Sequence, residues 1–215
     1  MFQGFSSDAG SFYWELLFHN ERPWFAEHKD EFIRLLKEPL SSLAEDTLAL
    51  VREAYPERDW IVHVSRIYRD ARRLFGRGPY KEHLWFTIRE RNVPEELGFW
   101  FEISPSSYAW GMGAFASASE MERWRTYVDA DIARVTALAE RFQKQKLYAL
   151  DGDVYKRAKG ERGELLNPWY NARTLSITAR RDFGGVLLTP ELPQFLAKEY
   201  TWLMPYYDAF KHLFD

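Results

Sequence analysis

Residues 84–113, LWFTIRERNVPEELGFWFEISPSSYAWGMG, decide the fold. Leu84, Phe86 and Ile88 alternate with Trp85, Thr87 and Arg89. Phe99, Phe101 and Ile103 alternate with Trp100, Glu102 and Ser104, and Tyr108, Trp110 and Met112 with Ala109, Gly111 and Gly113. A period of two, built from aromatic and β-branched residues, predicts three strands. The short link Ser104-Pro105-Ser106-Ser107 predicts an antiparallel hairpin between the last two. Gly111 and Gly113 carry no side chain, so they mark either a bulge or a place where a ligand or another backbone comes close.

Working outward, Trp60–Ser65 shows the same alternation, and Leu175, Ile177 and Ala179 predict a further strand, with 186–188 as another candidate. Helical spacing dominates elsewhere. Ser11–Phe18 reads as a short helix with Ser11 as N-cap, and Asn20-Glu21-Arg22-Pro23 opens a second, since proline is tolerated in a first turn. Trp24, Phe25, His28, Phe32, Leu35 and Leu36 share one stripe, which Pro39 breaks or restarts. Ser42/Glu45 and Ser119/Glu122 have capping-box spacing. Met121, Trp124, Val128, Ile132, Val135, Leu138 and Phe142 predict one long helix reaching Lys146. Thr189-Pro190 opens the last helix, which Pro205 is expected to kink or split. The pattern predicts an α+β fold over residues 1–215 as a single domain. Its antiparallel sheet of about four to six strands packs against helices from the N-terminal, middle and C-terminal regions.

The chain has 215 residues, 46% hydrophobic and 28% charged, an ordinary globular balance. Nine tryptophans and 17% aromatic residues supply large buried areas, and some rings are expected to line a groove or an interface. Without cysteine there is no disulfide, thiolate metal site or cysteine nucleophile. The net charge of −3 argues against broad binding to nucleic-acid backbone. The start of the chain has no secretory pattern and no apolar run approaches a membrane span, so a cytoplasmic protein with no membrane association is expected.

Against that acidic balance, residues 66–81 stand out. Arg66, Arg69, Arg72, Arg73, Arg77 and Lys81 face only Asp70, with Tyr68 and Tyr80 between them and a turn at Gly76, Gly78 and Pro79. Guanidinium forks suit carboxylate and phosphate oxygens, so the segment reads either as an anion site or as a loop paired with acidic helices. Asp70 is placed to hold Arg66 or Arg72. A second basic run, Lys156-Arg157-Ala158-Lys159-Gly160 followed by Arg162, reads as a solvated loop unless the fold sets it beside the first. His19, His28, His63, His83 and His212 show no metal-ligand spacing, so no metal and no cofactor are expected. There is no GxSxG, no P-loop and no strand-borne GxGxxG. Glu15, Glu27, Glu31, Glu102 and Asp70 are possible bases that nothing in the sequence pairs. Whether the chain is an enzyme, and its oligomeric state, stay open.

Asn20-Glu21-Arg22-Pro23-Trp24-Phe25, then RIYRDARR at 66–73 with Gly78-Pro79-Tyr80-Lys81, resemble the DUF2461 family of uncharacterised proteins. The hairpin at 99–113 and Lys156-Arg157 with Lys159-Gly160 resemble its later elements. Arg73 stands where that family usually has phenylalanine, and Ala158 where it has proline. The resemblance spans nearly the whole chain and implies a single domain but no activity. It directs attention to Arg66, Arg69, Asp70, Arg72, Tyr80 and Lys81. The expected ligand-binding set is these six with Lys156 and Arg157, around a small phosphorylated or carboxylated ligand in a basic, aromatic-lined pocket. The alternative is an interaction module using exposed tryptophan and arginine.

Overall fold

The computed structural model describes residues 1–70, 72 and 74–215; Ala71 and Arg73 lie outside the described residues. Six strands form one antiparallel sheet: β1 Trp60–Val64, β2 Leu84–Glu90, β3 Leu97–Ile103, β4 Ser107–Ala114, β5 Ala149–Asp151 and β6 Leu175–Asp182. Their spatial order is β1-β2-β3-β4-β6-β5. Helices precede, interrupt and follow the strands: α1 Asp8–Phe18, α2 Arg22–Glu27, α3 Lys29–Phe32, α4 Glu38–Ala54, α5 Ala118–Ala130, α6 Ile132–Gln143, α7 Asn167–Tyr170 and α8 Leu192–Lys211. The fold is therefore α+β. The 104–107 link is a tight hairpin turn, in which Ser104 N–H and Oγ both donate to the Ser107 carbonyl at 2.9 Å.

Several helix ends differ from the sequence expectation, each for a local reason. α1 begins at Asp8, so Ser11 is inside it. Ser42 is likewise inside α4. Pro39 stands near the start of that helix, which continues the preceding turn without a break, so its missing N–H leaves a gap in the helical ladder. Just before it, Ile33–Lys37 forms a π-turn in which Glu38 N–H reaches back five residues to the Ile33 carbonyl. The Pro39 ring crowds the carbonyl four residues earlier, which accounts for the widening there. The capping box of α5 is Ser117 with Glu120, two residues before the expected pair, because Ser117 is the last residue in extended conformation. The expected long helix divides at Asp131, whose carboxylate accepts the Arg134 N–H at 3.1 Å and starts α6. Residues 185–188 are a 3₁₀ turn, not a strand, because Gly184 and Gly185 take positive φ. α8 begins at Leu192, after Thr189-Pro190, and runs unbroken through Pro205. Leu203, Tyr206, Tyr207 and Phe210 are fully buried around that proline, so packing outweighs its local cost. β5 is too short to show a period. It exists because Ala149, Leu150 and Asp151 pair with Thr178, Ile177 and Ser176 of β6.

The chain divides into two compact units, each made of separate segments. The first comprises Met1–Ile88, Trp100–Trp110 and Arg180–Lys198. In its core Phe86 lies against Phe101 with centroids 5.5 Å apart, and Trp110 meets Phe195 edge-on at 5.0 Å. The second comprises Arg89–Phe99, Gly111–Ala179 and Glu199–Asp215. There Phe99 is stacked on both Tyr200 and Tyr207 at 4.9 Å, and Trp169 lies parallel to Tyr206.

Tyr206 carries a pH prediction. It is fully buried, and its hydroxyl donates to the Leu138 carbonyl at 3.1 Å. Burial pushes its pKa up to about 12, although the nearby Arg141 guanidinium works the other way. In the unfolded chain the phenol titrates near its ordinary value of about 10. The unfolded state thus loses the proton first, and stability falls as pH rises from about 10 through 12. Buried Tyr13 and Tyr200, both raised well above the ordinary value, add in the same direction. Urea midpoints measured from pH 8 to 12 should fall steeply above pH 10. Tyr206→Phe should flatten part of that fall, and an unchanged slope in the variant would count against this account.

Candidate functional site

In the first unit, the connection from β1 to β2 is a hairpin-like excursion closed at its base. Tyr68 bridges Tyr80 antiparallel, Lys81 N–H donates to the Ile67 carbonyl and Arg69 N–H to the Pro79 carbonyl, each at 2.8 Å. Tyr80 is the buried anchor, with its ring stacked on Phe25 at 4.3 Å. Asn20 clasps the same residue: its Oδ1 accepts the Tyr80 N–H at 2.9 Å and its Nδ2 donates to the Tyr80 carbonyl at 3.1 Å. A Cβ on Gly78 would lie 2.5 Å from the Asn20 carbonyl oxygen, so only glycine lets these two segments meet. The Asn20–Phe25 element is thus the socket in which the arginine loop is seated.

The candidate residues on this loop have different surroundings. Arg69 is nearly buried and engaged within the protein. Its Nε donates to the Tyr80 carbonyl at 2.8 Å and its Nη2 to Glu82 at 2.7 Å. Asp70 holds Arg72, accepting its backbone N–H, Nε and Nη2 at 3.0, 3.1 and 2.9 Å at the protein surface. Lys81 is half-buried, with its ammonium 5.6 Å from the Trp85 ring. Burial, and then the charges of Arg66 and Arg69, hold its pKa below the usual lysine range. Arg66 is exposed and forms no ion pair among the described residues.

Arg66 lines a cavity of about 350 Å³ in this unit. The apolar wall is Phe25, Phe32, Ile33, Leu40, Ile67 and Leu84. Lys29, Lys37 and Arg66 supply its cations, and among the described residues no carboxylate lines it. Lys29 and Lys37, like Arg66, form no ion pair among the described residues. The π-turn contributes both Ile33 and Lys37, and such turns recur at functional sites. Neither Lys29 nor Lys37 belongs to a basic run in the sequence. The apolar stripe Phe25–Phe32 was visible, but the π-turn that brings Ile33 and Lys37 to one wall has no sequence signature.

In the second unit, Lys156 and Arg157 line an open hollow of about 720 Å³ with Lys159, Arg173, Asp153 and Tyr155. Arg162, which follows in the sequence, is engaged elsewhere. Its Nε and Nη2 donate to Asp129 at 2.6 and 2.9 Å, and its guanidinium lies 4.4 Å from the Tyr170 ring. Those hydrogen bonds hold the Asp129 carboxyl below the usual carboxylate range.

The candidate bases and histidines are dispersed. Glu15 lies 3.7 Å from His19, and Glu102 3.8 Å from His83. His28 stacks on Trp24 at 3.9 Å, and His212 on Tyr127 at 4.3 Å. Among the described residues no group of three such side chains is placed to hold a metal ion. No helix among them is long and apolar enough to cross a membrane.

The family model described as conserved hypothetical protein (DUF2461) matches residues 8–208. No curated protein matches the chain.

Proposed function

The chain belongs to the DUF2461 family, and from that premise we propose that it binds a small amphipathic anion in the cavity of its first unit. The observation that carries this reading is the pairing of an apolar wall with three cations, Lys29, Lys37 and Arg66, that no protein carboxylate neutralises among the described residues. A ligand with an apolar body and one carboxylate or phosphate matches both features, and the cavity is within the size range of small-molecule pockets. Arg66 contacts the anion in this reading, while Arg69, Tyr80 and Lys81 shape the loop that presents it. Any chemistry would come from electrostatic stabilisation by these cations. The family match runs through both units, which supports taking residues 1–215 as one domain. The reading as an interaction module has narrower support, since among the described residues Trp14 is the only tryptophan that is more than half-exposed.

The test is thermal melting and calorimetric titration with octanoate and phenyl phosphate. Octanol and inorganic phosphate serve as probes of each half of the ligand. A ligand at 100 times its dissociation constant adds about 2.7 kcal/mol of stability, which a melting curve resolves. The amphipathic anions should raise the melting temperature more than either half-probe. Arg66→Gln with Lys37→Gln should weaken them about tenfold, the loss expected for charge-assisted contacts. If neither anion moves the wild-type melting temperature beyond the effect of sodium chloride at equal ionic strength, the reading fails.

A further inference from the structure

We propose that the open hollow of the second unit is a binding site of its own, for a small ligand carrying two or more linked phosphate groups. Lys156, Arg157 and Lys159 come from one loop and Arg173 from the neighbouring segment. Among the described residues the one carboxylate in the lining is Asp153, whose oxygen lies 3.8 Å from Arg173. Lys156 and Arg157 are exposed and form no ion pair among the described residues.

A solvated connector accepts such a composition, but it has no need to be held in place. This loop is held along most of its length. Asp153 N–H donates to Thr174 Oγ1 at 3.0 Å, and Arg173 N–H to the Asp153 carbonyl at 2.7 Å. Val154 bridges Ala172 antiparallel. Asn171 closes the far end: its Oδ1 accepts the N–H groups of Lys159 and Gly160 at 2.6 and 3.2 Å, and its Nδ2 donates to the Gly160 carbonyl at 3.0 Å. A Cβ on Gly152 would lie 2.5 Å from the Thr174 carbonyl oxygen, so the entry to the loop is equally tight. The Lys159 ammonium is 4.6 Å from the Tyr155 ring, and the buried Arg125 guanidinium is 5.6 Å from that ring.

Fixing four cations around one hollow is unfavourable through like-charge repulsion, and one carboxylate offsets only part of it. The lining mixes these cations with Ala116, Ala118, Val154 and Tyr155, and the excess of positive charge is what selects the anionic part of a ligand. A single monoanion leaves most of the field uncompensated. Linked phosphates bring several negative charges on oxygens spaced for guanidinium forks and ammonium groups.

Calorimetric titration with inorganic pyrophosphate and tripolyphosphate tests this, with sulfate at matched ionic strength as comparison. Both phosphates should bind more tightly than sulfate. Lys156→Gln with Arg157→Gln removes two exposed side chains that make no ion pair among the described residues. It should not lower the melting temperature, since it relieves like-charge repulsion, and it should weaken pyrophosphate at least about tenfold. Arg173→Gln should weaken it as well, while Arg66→Gln should not, which separates this site from the cavity of the first unit. Adenosine diphosphate distinguishes a site that reads phosphate alone, where it matches pyrophosphate, from one that also reads a nucleoside, where it binds more tightly. The proposal is overturned if pyrophosphate binds no better than sulfate, or if the double variant keeps wild-type affinity. It is equally overturned if a single-stranded oligonucleotide binds and pyrophosphate does not.

Discussion

Gly111→Ala is expected to destabilise the protein by more than about 3 kcal/mol, because the added methyl has nowhere to go. An ideal Cβ at this position in β4 would lie 2.0 Å from the Ile177 carbonyl oxygen of β6 and 3.2 Å from the Thr178 Cα. Both are backbone atoms of the neighbouring strand, so a rotamer change cannot relieve the clash. The two strands must separate, and the ladder bonds they share are weakened with them. Gly113 is the internal comparison. Its Cβ would sit 3.3 Å from the Leu175 carbonyl oxygen and 3.3 Å from the Ser176 hydroxyl, a gap that small shifts accommodate. Gly113→Ala should therefore cost far less than Gly111→Ala in a urea titration. Equal effects at the two positions, or a Gly111→Ala midpoint near that of the wild type, would refute the close approach.

Trp124→Ala should cost about 3–5 kcal/mol, the range for removing a large buried ring. Trp124 is fully buried in α5, its ring meets Phe210 of α8 edge-on at 5.3 Å, and its Nε1–H donates to the Trp169 carbonyl at 2.9 Å. Trp124→Phe separates the two contributions. It keeps most of the apolar contact but strands the carbonyl of Trp169, itself a buried residue, which costs about 1–3 kcal/mol. Denaturant unfolding should rank the proteins wild type, Trp124→Phe, Trp124→Ala. A Trp124→Ala protein within about 1 kcal/mol of wild type would mean that neighbouring side chains collapse into the space, against the packing described.

The four strands with clear alternation were legible, since a period of two in residue type depends only on the order along each strand; burial follows it strictly in β2, whereas β4 is buried at every position from Tyr108 to Ala114. Helix boundaries were less so. Ser117 and Ser119 each have a glutamate three residues on, and only the point where the chain leaves β4 chooses between them. Asp131, the cap of α6, lies inside a stripe whose periodicity continues across it, so the sequence pattern predicts no break there. Pro205 misled because its local cost is real, and the fully buried residues on both sides of it outweigh that cost.

The candidate sites divide in the same way. Composition alone marked 66–81 and 156–159 as basic in an acidic chain, since charge excess is a property of sequence. Which cations remain unpaired is not. Arg69 and Arg72 find partners in Glu82 and Asp70, and Arg162 finds Asp129 thirty-three residues away. Lys29 and Lys37 carry no mark of their own. They become notable because a π-turn and the β1–β2 loop meet around one apolar cavity. By itself, then, the sequence determined the α+β class, most of the strands, the family resemblance and the two basic segments, all of which rest on local order and composition. Only the tertiary structure decided which charges are neutralised and which line a cavity, because ion pairing and enclosure depend on distances between residues far apart along the chain.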